Sequence, residues 1–445
     1  MSSPSPPPTP PAQPPRTRAE TRFKPSVLAC EWSEEYRPGG FHPIKFGDTL
    51  AGGRYRIIRK LGNGSFSTVW LGATDGIDVP KYVAIKIMTA KQSLSGASNE
   101  LRIAEVLSAL DEDAPETTHV LLPLDYFDEK GPNGTHRCLT YEPMGVTVAS
   151  GVDKLPQFRD KVRFMNDTWR YPKWMVKIIL KHTLLGLASL HRRNVVHGDL
   201  QPGNLLFATN GLHAAGEDEL VQTTGATTGC VVRLDGKKDK WAPQYLALGQ
   251  PLYAYADFTE NLEIRISDLG AAFFRDDPPA KIVTPFALRA PEIILKQQIN
   301  EKIDIWSFGC LVYELITNAQ LFPVAPYDED QQEEGDDDHL LTLNNILGDL
   351  PQDVMTIWSR SASYFGPNRE RLNPRAALPE DSGLFNPELW TNDSLETLFD
   401  QNKPDEVNEA EAVIIVALIR RILKYDASQR PTAEELLEDP WFHSE

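Results

Sequence analysis

A change of hydrophobic period partway along the chain restricts its fold more than any other feature. From Gly53 to Met88, in "RYRIIRKLGNGSFSTVWLG" and "KYVAIKIM", β-branched and apolar residues alternate and are broken by Gly- and Asp-containing turns. That is the pattern of antiparallel strands with one covered face. "VLLPLDYFD" and "HRCLTYEP" repeat it. Between the two sets, Leu101, Ala104, Leu107 and Leu110 recur at helical spacing. After Met144 the period becomes that of helices. "PKWMVKIILKHTLLGLASLH" is amphipathic with Pro172 at its start, "KIDIWSFGCLVYELIT" is apolar nearly all round, and "NEAEAVIIVALIRRILKYD" is a third long helix. Thr432 and Glu435 have the spacing of a capping box at the start of a short fourth helix. The order predicts an α+β, two-lobed chain: a small β-rich lobe over residues 31–144, preceded by a tail, and a larger helical lobe over 145–445.

The tail, residues 1–30, opens with "MSSPSPPPTPPAQPPRTR", which has almost nothing to bury and reads as disordered. It also lacks the apolar centre of a secretory signal. Two stretches of the helical half are irregular: residues 208–262, an insertion expected to be at least half loop, and 326–339, "PYDEDQQEEGDDDH", read as an acidic loop. The net charge of −18 argues against a direct nucleic-acid partner and fits a polycationic one. Four cysteines without a C-x-x-C pair suggest neither a disulfide framework nor a zinc site, and point to a reducing compartment, cytoplasmic or nuclear. No apolar run reaches the roughly 18–20 residues of a membrane helix. The expected molecule is a monomer away from membranes.

Three stretches carry chemistry. Gly62-Asn63-Gly64-Ser65-Phe66-Ser67 lies between two strands, where glycines let backbone amides approach phosphate oxygens. A dinucleotide fingerprint would open a helix there instead. In Val83-Ala84-Ile85-Lys86 a lysine among apolar strand residues needs a partner charge, which triphosphate and a helix glutamate would supply. Glu100 is the expected partner, with Glu105 as the alternative. In "VVHGDLQPGNLLF", Asp199 can orient a hydroxyl and accept its proton, and Asn204 can offer magnesium an amide oxygen. Asp268, between "IRIS" and Leu269-Gly270, can hold a second position on the metal.

Taken in order, G-x-G, V-A-I-K, H-G-D-x-x-x-x-N, D-L-G, A-P-E (Ala290 to Glu292), D-I-W-S-F-G (Asp304 to Gly309) and Q-R-P (Gln429 to Pro431) resemble the eukaryotic protein kinases over roughly Arg54 to Phe442. The resemblance implies a bilobal kinase fold, ATP with Mg2+, and phosphoryl transfer to Ser or Thr of a protein. It implies Asp199, Lys86 and Gln201 as catalytic residues and Asn204 and Asp268 as metal ligands. It also implies a nucleotide site drawn from Leu61, Gly62 to Ser67, Val69, Ala84, Lys86, Glu100, the gatekeeper Tyr141, Glu142 and Met144. Further implications are a Glu292–Arg430 ion pair and Asp304 bonded to the catalytic-loop backbone. A narrower likeness is to the SR-protein kinases. It is carried by "PGGFHPIKFGDTLAGGRYRIIRKLGNGSFSTVWLG", the hinge "CLTYEPMG", the split core and "DDDHLLTLNNILGDLP". It implies an Arg/Ser-rich substrate docked on acidic residues, with Asp338 on one docking acid's position, Asn345 standing where the family has a second docking acid, and Arg289 before the A-P-E motif.

Three positions depart from the pattern. Gly198 stands where kinases commonly have an Arg that pairs with a phosphorylated activation loop, so activity without that phosphorylation is expected. Gln201 replaces a lysine that usually neutralises the transferring phosphate, which implies a slower enzyme. The spacing from Thr284 to Glu292 is one residue long, which leaves the place of Thr284 open. Two rival readings are a pseudokinase scaffold for basic peptides and a small-molecule phosphotransferase of the aminoglycoside type, whose loop "HGDLQPGN" also resembles.

Overall fold

The computed structural model describes residues 8–11, 13–76, 80–94, 99–108, 119–158, 161, 169–324, 331–372 and 393–443. It divides into two compact units. One gathers residues 1–108, 120–147 and 206–267, and the other 109–119, 148–205 and 268–445.

The first unit is built on a six-stranded sheet in the order β1-β2-β3-β4-β6-β5. Its strands are β1 (Thr49–Leu50), β2 (Tyr55–Asn63), β3 (Ser67–Ala73), β4 (Tyr82–Met88), β5 (Asp125–Gly131) and β6 (Gly134–Tyr141). Every neighbouring pair is antiparallel. The alternation read from sequence sorts the side chains by face. Ile57, Trp70, Val83, Ile85, Ile87 and Cys138 form one core, and Ala84, Met88, Leu139 and Tyr141 form another with Leu101 of helix α1 (Asn99–Ser108). Leu101, Ala104 and Leu107 are buried as their spacing predicts, while Leu110 lies outside the described residues.

Two expectations about segments change. The tail assigned to 1–30 is ordered in its described second half. Phe23 is 3% exposed, Arg22 is ion-paired with Glu34, and the Lys24 amide donates to the Val232 carbonyl at 2.9 Å. Proline bias in the first residues says nothing about an aromatic residue that finds a pocket far along the chain. The insertion, assigned to the helical lobe by its sequence position, belongs to the sheet unit. Leu212, Ala215, Leu220 and Leu252 cover Ile58, Leu71 and Tyr82, and Glu217 makes two 2.8 Å bonds to Arg56. It is largely irregular, with a hairpin of Thr228–Cys230 and Tyr245–Ala247. Its apolar residues follow no period because each fills a separate gap on a preformed sheet.

The second unit is helical. Its main helices are α2 (Lys173–His191), α3 (Lys302–Thr317), α4 (Gln332–Leu347), α5 (Leu395–Asn402), α6 (Glu409–Ile422) and α7 (Ala433–Leu437). α3 is buried nearly all round, and Thr432 and Glu435 form the predicted capping box on α7. The acidic loop expected at 326–339 is helix from Gln332 onward, with 325–330 outside the described residues. Glu333 and Glu334 sit in the first turn of α4, where carboxylates complement the helix dipole, so an acidic run that resembles a loop begins a helix. No helix among the described residues is long and apolar enough to cross a membrane.

Buried histidines make this fold sensitive to acid. Burial lowers His42 to about 3, beside His136, and His339 to about 3; it lowers His182 to about 4, against His119 at 4.2 Å. In the unfolded chain each titrates near 6.5. Below that pH the unfolded state binds protons that the folded state refuses. Stability is therefore full above pH 6.5 and falls as pH drops toward 4 and 3, by about 1.4 kcal/mol per pH unit for each group. Urea midpoints at pH 7, 6 and 5 test this; the same midpoint at pH 5 as at pH 7 would contradict it.

Candidate active site

The flap sequence is a hairpin, as predicted. Gly62 pairs with Val69 and Asn63 with Thr68, the Gly64 amide donates to the Ser67 carbonyl at 2.9 Å, and Phe66 at the tip is exposed. A register shift between Lys60 and Gly62 bends β2 just before the turn. Lys86 stands opposite Val69 on β4 and is half-buried between the fully buried Ile85 and Ile87. Its Nζ lies 3.1 and 3.0 Å from the two oxygens of Glu100. That selects Glu100 over Glu105, which faces solvent. The Tyr141 hydroxyl donates to the same carboxylate at 2.5 Å. Tyr141, expected as the gatekeeper, thus also orients the lysine's partner, a link that no spacing rule reveals.

The residues expected around adenine come together. Ala84, Tyr141 and Met144 are buried in one apolar cluster, with Leu61 and Val69 packed against it. Beyond Tyr141 the chain is strapped to residues 207–209, at the entry to the insertion: the Thr209 hydroxyl donates to the Pro143 carbonyl at 3.1 Å and the Gly145 amide to the Phe207 carbonyl at 2.8 Å. The Glu142 side chain is paired with Arg265 at 2.5 Å, on the side-chain rather than the carbonyl end of that residue.

The second unit holds the other group. Gln201 Nε2 donates to one oxygen of Asp199 at 2.8 Å, and Asn204 Nδ2 donates to the other at 2.9 Å and to the Asp199 carbonyl at 2.8 Å. Burial pushes the Asp199 carboxyl above the ordinary carboxylate range. The nearby Asp268 charge adds to this, and His197 and the two amide donors oppose it. A base that is raised but still hydrogen-bonded is matched to taking a proton from a hydroxyl. Asp268 has φ +62°, ψ +64°, a left-handed backbone that a non-glycine residue adopts only at a cost, and such strain gathers at functional sites. The donor chemistry of Asn204 and Asp268, an amide oxygen and a carboxylate, suits a hard divalent cation.

A buried carboxylate holds the loop itself. Asp304 of α3 accepts the amides of His197 and Gly198 at 2.8 and 2.9 Å and the ring nitrogen of His191 at 3.0 Å. Burial alone would raise it, but these bonds keep it below its usual range. His191, at the end of α2, carried no sequence signal; it is found only through Asp304. Gly198 has φ +73°, and a β-carbon there would lie 3.1 Å from the Phe273 ring and 3.3 Å from the Ala271 carbonyl, so this loop accommodates glycine in particular. The extra residue before Glu292 does not displace Thr284, whose hydroxyl donates to the Gly198 carbonyl at 2.5 Å and is buried. Arg289 Nε donates to the Thr284 carbonyl at 2.8 Å, and its guanidinium stacks on Phe286 at 3.9 Å. Burial lowers the Arg289 pKa, and Asp336 opposes that shift. On α4, Asp338 is half-buried, while Asp337 is used internally by Trp358, Arg360 and Tyr364 at 2.7, 2.6 and 2.8 Å. Glu292 and Arg430 form the expected ion pair, with bonds of 2.6 and 2.7 Å.

Comparison with known proteins agrees with this arrangement. The protein kinase domain family model matches residues 55–215 and 256–442. The chain is 30% identical over 424 residues to the serine/threonine-protein kinase SRPK of Physarum polycephalum, covering 92% of this chain and 91% of that one. It is 28% identical over 445 residues to a serine/threonine protein kinase of Aspergillus fumigatus, covering 99% and 96%. A crystal structure of a kinase domain superposes with a TM-score of 0.59 at 22% identity over 90% of this chain and 98% of that one, which is a likeness of fold. The break in the family match falls on the insertion that the sheet unit absorbs, so the chain is a member of the protein kinase family, a serine/threonine kinase of the branch that contains the SR-protein kinases.

Proposed function

We propose that this kinase transfers the γ-phosphoryl group of ATP to serines in Arg/Ser-rich proteins. The observation that carries the chemistry is the Asp199 carboxylate, fixed on both oxygens by Gln201 and Asn204 and raised in pKa by burial. Asp199 orients the substrate hydroxyl and takes its proton. Gln201 holds the carboxylate rather than neutralising phosphate, which costs rate but not the reaction. Lys86, steadied by Glu100 and Tyr141, is a fixed positive charge for phosphate oxygens, and the amides of Gly62 to Ser67 offer further donors. Leu61, Val69, Ala84 and Met144 exclude water from the base. Magnesium held by Asn204 and Asp268 would supply charge neutralisation on the phosphates.

The substrate class rests on the acidic face of α4, where Asp336 and Asp338 are half-buried and Glu333 and Glu334 are exposed beside Arg360, in a chain of net charge −18. Guanidinium groups pair with such carboxylates in bidentate fashion and stay charged at any working pH. The test uses the full chain after phosphatase treatment, with ATP and magnesium, on Arg/Ser-repeat, acidic and proline-directed peptides. The expected kcat/KM for the Arg/Ser peptide is at least about tenfold above the others, from the charge-pair energy. Phosphatase treatment leaves the rate unchanged, because Thr284 and Gly198 are tethered without a phosphate. Nucleotide binding without transfer to any peptide would favour a scaffold. Equal use of all peptides would remove the Arg/Ser assignment, and a large loss on phosphatase treatment would remove the claim of unassisted activity.

A further inference from the structure

The strand that leads into the flap, among the described residues, has no full strand along one edge. β1 pairs with Tyr55 and Arg56, Gly47 and Asp48 bond the backbone of Ile57, and from Ile58 onward the insertion takes the place of a strand. The Gln222 amide donates to the Ile58 carbonyl at 2.9 Å, the Lys60 amide donates to Gln222 Oε1 at 3.0 Å, and the Gln250 amide donates to the Lys60 carbonyl at 2.8 Å. Gln222 is buried and anchored in turn, its Nε2 donating to Thr227 Oγ1 and the Leu248 carbonyl at 3.1 Å each. Next to this clamp, Gly249 lies against the flap itself. A β-carbon on it would be 3.1 Å from both the Gly62 Cα and the Leu61 carbonyl oxygen. On the side-chain side, the fully buried Lys60 is paired with Glu31 of the lead-in segment, which also accepts the Tyr36 hydroxyl at 2.6 Å. Glu31, Gln222, Gly249 and Gln250 all lie outside the two stretches matched by the kinase domain model.

A glycine-rich turn has little side-chain packing of its own, and an unpaired strand edge frays. Amides of such a turn reach a phosphate reproducibly only if the strand before it is held. We propose that Gln222, Gly249 and Gln250 are positioning residues for the nucleotide: the insertion acts as the missing edge strand of β2 and sets where Leu61 and Gly62 stand. This rests on the reading of Gly62 to Ser67 as the flap over ATP phosphates. It gives the insertion a role in nucleotide affinity that is separate from peptide recognition.

The experiment compares the parent chain with Gln222→Ala and Gly249→Ala. It reads the Kd for ATP with magnesium by calorimetry, KM for ATP and for the Arg/Ser peptide, and hydrogen exchange of the peptide spanning residues 58–66. Losing one backbone clamp, or pushing on the Gly62 backbone by a methyl group, raises the nucleotide Kd about 5- to 10-fold. KM for the peptide stays within twofold, and exchange over 58–66 speeds up. Gly249→Ala guards against a folding artefact, because it adds one methyl group and removes no bond; its melting midpoint is measured alongside. Nucleotide Kd within twofold of the parent in both variants would overturn the brace, as would a parallel rise in peptide KM. A parent chain that binds no nucleotide would instead overturn the flap reading on which the brace depends.

Discussion

Asp199→Asn lowers kcat by about three orders of magnitude, within the range for loss of a positioned general base. Asn keeps the volume of the side chain but cannot take the proton. It also turns an amide toward Gln201 Nε2 or Asn204 Nδ2, so that a donor faces a donor where two bonds of 2.8 and 2.9 Å now stand. The carboxyl is held above its ordinary pKa mainly by burial, so removing its charge relieves a desolvation penalty and the fold tolerates the change. The loss therefore appears in kcat, with the Kd for ATP and the melting midpoint nearly unchanged. Steady-state rates on an Arg/Ser peptide, with a thermal melt of the same preparation, make the measurement. A variant within tenfold of the parent would show that Asp199 is not the base.

Arg430→Met costs about 3–5 kcal/mol of stability, the range for breaking one partner out of a buried ion pair. Arg430 is 2% exposed and holds five acceptors: both oxygens of Glu292 and the carbonyls of Lys424, Lys302 and Tyr425 at 2.8, 3.0 and 3.3 Å. Its guanidinium also lies 4.9 Å from the centre of the Trp306 ring. Methionine fills much of the volume but leaves the Glu292 carboxylate buried without its cation. Adding Glu292→Leu to Arg430→Met removes that stranded charge and recovers part of the loss. Urea unfolding followed by tryptophan fluorescence reads both. A single-variant loss below about 1 kcal/mol, or a double variant weaker than the sum of the singles, would contradict this account.

Much of the site was legible in the sequence because its parts are short and local. The separation of Asp199 from Asn204 is one loop turn, so their meeting follows from spacing. Lys86 on an apolar strand required a partner, and the next helix offered two; only the packing of Leu101, Ala104 and Leu107 decided that Glu100 points inward and Glu105 outward. His191 has no sequence signal, and nothing in the sequence ties Tyr141, expected as the gatekeeper, to Glu100, because each acts through a carboxylate far away in sequence, Asp304 and Glu100. The acidic run of α4 reads as loop in the sequence because carboxylates in a first turn look like a solvated linker until the dipole they complement is present.

The sequence by itself determined the two hydrophobic periods, the order of the chemical groups and the family, since these depend on neighbours within a few turns of chain. Tertiary structure alone decided where the unpatterned segments go. Glu31, Gln222 and Gly249 have no local period, and their partners are on the edge of a sheet that exists only after β2, β3 and β4 have paired, while Phe23 packs among Tyr36, Phe41, Ala242 and Leu246, the last two from the insertion. An edge strand presents unsatisfied amides and carbonyls to whatever segment can reach them, and that choice is made by geometry across more than a hundred residues of chain.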